Sequence, residues 1–150
     1  MSDDDTQGGQ MAKQEQEQQI ENRKIEQLTR ARAKRNGHKA SFTRLATQYE
    51  TNTSHPQLMT DTIMRKVRAI VPGIEKARKA IYNLDLQIEQ LLPTNEIVYE
   101  TEQQLTWGEK MDTLYIEATD LVNEYDTTKK LRRYGKKKRQ PQSKLWYWRK

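Results

Sequence analysis

The chain has no cysteine among its 150 residues. That absence excludes disulfides, thiolate metal centres and thiol nucleophiles together, and it fits a reducing compartment. Apolar residues are scarce, at 33% against roughly 45–50% in ordinary globular domains, while charged residues reach 32% against about 25%. Leu, Ile, Val and Phe number only 26, below the roughly 20% at which a chain begins to read as disordered. A thick core is out of reach. A thin helical bundle is not, because each of its helices needs a single apolar stripe. No apolar run approaches the roughly 18 residues needed to cross a bilayer, and the opening MSDDDTQGGQ is acidic and polar, unlike a secretory or mitochondrial leader. The expectation is a soluble intracellular protein, cytoplasmic or nuclear, with no membrane contact.

Catalytic patterns are lacking too. The six glycines are scattered and form neither a phosphate-cradling G-x-x-x-x-G-K-[ST] loop nor G-x-G-x-x-G, and G-x-S-x-G and H-E-x-x-H are also absent. His38 and His55 have no acid at a metal-binding spacing and read as exposed polar residues. Glu15, Glu17, Glu100 and Glu102 sit in polar helical runs and read as solvated faces. No enzyme, cofactor or metal is expected.

What the sequence does have is helical periodicity. Residues 1–24 read as an acidic, Gln-rich leader, largely disordered or weakly helical. Up to about Glu50 the chain lacks proline and favours good helix formers. Apolar spacing emerges at Ile25 and Leu28, then at Phe42, Leu45 and Tyr49, and Asn36-Gly37 between them predicts a kink or break. One weak helix or two short ones are expected there. After TNTSHP a second helix begins near Pro56 or Thr60, with the clearest stripe in the chain: Ile63, Val67, Ile70, Ile74, Ala77, Ile81, Leu84, Ile88 and Leu91. Its steps of four and three give a 3.5-residue repeat, as in a supercoiled seam. Pro72-Gly73 falls inside it and predicts a kink.

Pro93 stops that helix, and Thr94 or Asn95 can cap the next. A third stripe runs Trp107, Met111, Leu114, Ala118, Leu121 and Tyr125, with Gly135 as the expected stop. The fold class that follows is all-α: a long antiparallel, coiled-coil-like hairpin of the second and third helices with an additional N-terminal basic helix, the helical bundle spanning 25–127, and disordered termini. Between Arg23 and Arg44 lie eight basic residues and one acid, whereas Glu96 to Asp126 holds nine acids and one base. In an up-down-up bundle those two segments run side by side, so their charges predict pairing.

Residues 128–150 form a basic tail of eleven Lys/Arg and no acid, on a body of 16 basic and 21 acidic groups. Lys129, Lys130 and Arg132 read as cations at a helix C-terminus. With Arg133, Lys136, Lys137, Lys138, Arg139, Lys144 and Arg149 they offer charge for phosphates, while Tyr134, Trp146 and Trp148 offer faces for unpaired bases. Nonspecific binding of nucleic acid, single-stranded RNA in preference, is the function these residues favour. A nuclear-localisation segment, for which KKKR suffices, and a merely solvated tail are the alternatives. The basic cluster Arg30, Arg32, Lys34, Arg35, Lys39 and Arg44 is explained equally well by pairing with the third helix. The narrow stripes predict a homo-oligomer, with a helical protein partner as the alternative occupant of the seam.

The stretch ARAKRNGHKASFTRLATQYE, residues 31–50, resembles the start of the gag-like region of BEL/Pao-type retrotransposon polyproteins. There a basic helix of the form R-x-x-x-K-x-x-[FLI]-T-R precedes a long helical hairpin, and Arg35, Lys39, Phe42, Thr43 and Arg44 match it. The heptad helix ending in Leu-Leu-Pro and the acidic helix running to IEATDLVNEYD extend the likeness over roughly residues 28–126. The resemblance implies assembly and nucleic-acid packaging, and transfers no catalytic residue. The family's zinc knuckles, protease and reverse transcriptase have no counterpart here, so the resemblance implies an amino-terminal piece or a standalone relic. Pro72-Gly73 and the Trp-rich tail depart from the family pattern.

Overall fold

The computed structural model describes the backbone of residues 2–148 and the side chains of residues 9–135. It is all-α: α1 (Ser2–Thr53), α2 (Asp61–Leu91) and α3 (Ile97–Trp148), joined by single 3-10 turns at Pro56–Leu58 and Thr94–Glu96. Connections this short fold each helix back on the last, so α1 and α3 run parallel and α2 runs against both.

Local chemistry sets the boundaries of α2. The Thr60 side chain accepts a hydrogen bond from the Ile63 backbone N–H at 3.2 Å, and Asp61 places negative charge in the first turn. Leu92-Pro93 closes the helix in extended conformation. The 3-10 turn at Thr94–Glu96 takes the place of the cap expected from Thr94 or Asn95, and α3 starts at Ile97.

The heptad stripe of α2 is the spine of the core. Val67, Ile70, Ile74, Ala77, Ile81, Leu84 and Ile88 are buried, Ile63 and Leu91 are half-buried at its ends, and Met64 joins it. From α3, Met111 and Ala118 are buried, while Trp107, Leu114, Leu121 and Tyr125 pack partly covered against them. From α1 come Phe42, Tyr49 and Ala31, all buried, with Leu45 and Leu28 at the edge.

Several expectations are corrected. α1 is a single helix across Asn36-Gly37. One glycine costs about 1 kcal/mol in a helix, and Arg35 and Phe42 on either side are anchored by burial. The backbone from Ser2 to residue 24 is helical and continuous with the rest of α1, and every described side chain from 9 to 27 is exposed. Ile25, expected to begin the apolar face, is 56% exposed. α2 runs as one helix through Pro72-Gly73, with the stripe in unbroken register. α3 passes Gly135 without stopping, so Lys129, Lys130 and Arg132 are mid-helix rather than at a C-terminus.

The antiparallel α2–α3 hairpin is present, and α1 packs against α2 at closer backbone range still. Gly73 makes this approach feasible: a Cβ there would stand 3.0 Å from Leu45 Cδ1. The glycine that looked like a breaker is a contact point between helices.

Candidate functional site

The bundle has two apolar clusters with charge between them. One gathers Phe42, Tyr49, Ile74, Ile81 and Met111, and the other Ala31, Leu84, Ile88 and Leu92. Between them sits Arg35 of α1, 8% exposed, with Asp85 of α2 and Glu100 of α3, each 5% exposed. Arg35 Nη1 donates to Asp85 Oδ1 at 3.0 Å and also to Glu100 Oε1. The Gln104 amide donates to the Glu100 carboxylate at 3.3 Å and to the Asp85 carbonyl at 3.4 Å. One guanidinium therefore ties all three helices together.

Two carboxylates share that one cation, and their titration divides accordingly. Burial pushes Asp85 above the ordinary carboxyl range, beyond what Arg35 and Lys39 recover. Burial also works to raise Glu100, but hydrogen bonds from Arg35 and Gln104 outweigh it and hold that group below its ordinary value. Burial works against the charge of Arg35, and its two carboxylate partners more than restore it. Lys39, whose charge reaches both acids, is lowered by burial and by Arg35. The Arg35 Nε donor is buried without a hydrogen-bond partner. Such a layer contributes little net stability, and its value lies in fixing which faces meet.

Reading Glu100 as a solvated face is thus corrected. Glu102, one turn-step away, is exposed as expected. The pairing of α1 with α3 is observed in Arg35–Glu100, and Arg32 pairs at the surface with Glu96 of the turn before α3, at 3.8 Å. Next along the bundle, Trp107 meets Phe42 edge-on with ring centres 6.2 Å apart, and Lys39 and Lys110 lie 4.7 and 5.0 Å from its ring centre.

Arg78 pins α2 to α3 beyond this point. It donates to Asp112 at 2.7 Å and lies over the rings of Tyr82 and Tyr115, while the Tyr82 hydroxyl donates to the same carboxylate at 2.8 Å. Burial works to raise Asp112, but its bonds with Arg78 and Tyr82 hold it below the usual carboxylate range. On the face of the α2–α3 pair away from α1 lies a groove of about 490 Å³, lined by Tyr82, Leu86, Glu89, Leu105 and Glu109 among others. It is largely apolar at its floor, and Leu86 and Leu105 remain 59% and 64% exposed.

At the far end of the bundle Asp61 accepts hydrogen bonds from Tyr125 and from Lys129, the latter at 3.4 Å, and Arg68 pairs with Asp126. The hydrogen bonds from Tyr125 and Lys129 hold the Asp61 carboxyl below its usual value. Lys129, expected to contact nucleic acid, is therefore engaged within the bundle. Lys130, Arg132 and Arg133 form no ion pair among the described residues, and Leu131 and Tyr134 are 66% and 60% exposed. The side chains of Lys136, Lys137, Lys138, Arg139, Lys144, Trp146 and Trp148, and all of Arg149, lie outside the described residues.

Among the described residues no group of three His, Cys, Asp or Glu is placed to hold a metal ion, and no helix is long and apolar enough to cross a membrane. Sequence reasoning missed the ionic layer. Asp85 occupies the position after Leu84 of the stripe and Glu100 stands seven before Trp107, so charged residues beside or within an apolar register were the available signal. Comparison with family models, with curated proteins and with solved structures finds no match.

Proposed function

We propose that this chain is a non-enzymatic structural protein, gag-like in kind, that self-associates through its helices and holds nucleic acid nonspecifically through residues 128–150. The observation that carries the reading is the continuation of α3. Its last described contact with α2 is Lys129 with Asp61, yet it remains helical to Trp148. From Lys129 to Trp148 that final length carries nine of the eleven Lys/Arg of residues 128–150 and no acid. Charge of one sign along a helix neutralises phosphates and releases counterions without reading sequence. The body contributes architecture: three helices locked in register by the Arg35 layer, with acids concentrated on α3.

Binding of labelled single-stranded RNA at two salt concentrations tests this. Tight binding at low salt that weakens steeply at high salt, and disappears in the chain cut to residues 1–127, supports the reading. Absence of RNA binding with loss of nuclear import on neutralising the tail would instead make the chain a coiled-coil adaptor with a localisation segment.

A further inference from the structure

We infer that the α2–α3 groove receives the basic end of α3 from a second copy of this chain, so that copies join head to tail. This deepens the self-association proposed above and rests on it. The groove is an open concavity with an apolar floor: α1 covers one side of the α2–α3 pair, and this side is open. Leu86 of α2 and Leu105 of α3 stand exposed there, with Val98, seven residues before Leu105 and on the same helix face, 70% exposed. Glu89 and Glu109 flank this floor and enter no ion pair or hydrogen bond among the described residues, unlike Asp85 and Asp112, which are committed to Arg35 and Arg78. An apolar strip edged by unpaired acids fits an amphipathic helix whose polar flanks are basic.

The chain itself contains such a helix. Leu131 and Tyr134 stand exposed one turn apart on α3, and the sequence has Leu145 and Trp148 two heptads beyond them, with five Lys/Arg among residues 135–144 between. A body with 21 acids to 16 bases, with Glu102, Glu109 and Asp112 on the stretch of α3 that borders the groove, complements a tail of eleven bases. The tail cannot occupy its own groove. Leu131 lies 26 residues beyond Leu105 on one continuous helix, about 39 Å at 1.5 Å per residue, and α3 leads it past the opposite end of the bundle. The occupant must come from another molecule. A tail-to-groove contact is heterologous, so each copy offers one groove and one tail, and the copies join into a ring or an open chain. Nucleic acid and groove then compete for the same tail.

Sedimentation velocity on full-length chains tests this with two variants. One carries Glu89→Lys and Glu109→Lys, reversing the groove edge and leaving the tail intact. The other carries Lys136→Gln, Lys137→Gln, Lys138→Gln and Arg139→Gln, weakening the tail and leaving the groove intact. Wild-type chain is expected to form species larger than a dimer at micromolar concentration, and to dissociate as salt rises. Each variant alone should associate at least tenfold more weakly, with unchanged circular dichroism. Mixed, the two should recover a discrete heterodimer, because one supplies a working tail and the other a working groove. Leu105→Asp, at an exposed position, should weaken association as the groove reversal does. Wild-type chains that associate equally well with either variant set would overturn the tail-to-groove contact while leaving self-association standing. A mixture that stays monomeric would overturn it as well. A monomeric wild type would remove self-association and this contact with it.

Discussion

Replacing Arg35 by Met removes the one cation that neutralises two buried carboxylates while keeping much of its volume. Asp85 and Glu100 are each 5% exposed, so neither can turn to water without opening the bundle. Breaking a buried pair by removing one partner costs about 3–5 kcal/mol, most of it the burial of a charge left alone. With a urea m-value near about 2 kcal/mol per M, the unfolding midpoint should fall by about 1.5–2.5 M. Circular dichroism at 222 nm during urea unfolding, at a concentration too low for association, reads that shift. The deficit should shrink as pH falls toward 4, because an unpaired carboxyl that takes up a proton tolerates burial. Replacing all three residues together, Arg35→Met with Asp85→Leu and Glu100→Leu, should restore stability to wild type or above it, since no charge then remains buried. An Arg35→Met midpoint within about 0.3 M of wild type would refute the reasoning, because it would mean that water already reaches the layer.

The same layer predicts a pH signature for its acids. Asp85, raised in the folded state, opposes folding fully above its folded pKa, and the opposition eases as pH falls through that value. Glu100, lowered in the folded state, supports folding fully above its unfolded pKa of about 4.3, and that support is lost as pH falls through its folded value. Glu100→Gln should therefore destabilise more than Asp85→Asn at pH 7, with the gap closing in acid, as urea titrations at several pH values would show. Ile74→Asp or Ile81→Asp sets an unpaired charge among fully buried residues and should cost several kcal/mol, with a large loss of helix by circular dichroism. Gly73→Leu places carbon against Leu45 and should cost about 1–3 kcal/mol in thermal or urea unfolding, whereas Gly37→Ala, with nothing within 4 Å, should stabilise by up to about 1 kcal/mol.

The α2 stripe was legible because a 3.5-residue repeat over four heptads has one physical cause, a seam facing another helix. Every residue from Val67 to Ile88 in that register is buried. The α3 stripe was legible for the same reason, although Trp107 and Tyr125 are only half-covered. Helix α1 was harder to read. Its covered face is spaced through Ala31, Arg35, Phe42 and Tyr49, and a small residue and a charged one carry no apolar signal. Glycine misled at Gly37 and Gly135, which neither break nor stop a helix, because a residue without a side chain reads alike whether it ends a helix or, as Gly73 does for Leu45, admits a neighbour. The pairing of basic α1 with acidic α3 was visible as bulk charge, but which pair is buried depends on the stagger of three helices, and no single segment encodes that. The basic tail was plain from composition alone. Its engagement at one end, Lys129 on Asp61, follows from where α2 begins.

The central claim is that residues 128–150 hold nucleic acid through charge, and the salt dependence of single-stranded RNA binding tests it most directly. If about five or six of the eleven bases contact phosphates, log Kd should rise with log salt at a slope near about 4, from roughly 0.7 per contact. Lys136→Gln, Lys137→Gln, Lys138→Gln and Arg139→Gln together should weaken binding to every sequence alike and flatten that slope. Trp146→Ala with Trp148→Ala should leave the slope nearly unchanged while costing about 1–3 kcal/mol for each stacked base. A slope that the Lys/Arg substitutions leave as steep as in the wild type would contradict the account and move the contact to the basic face of α1.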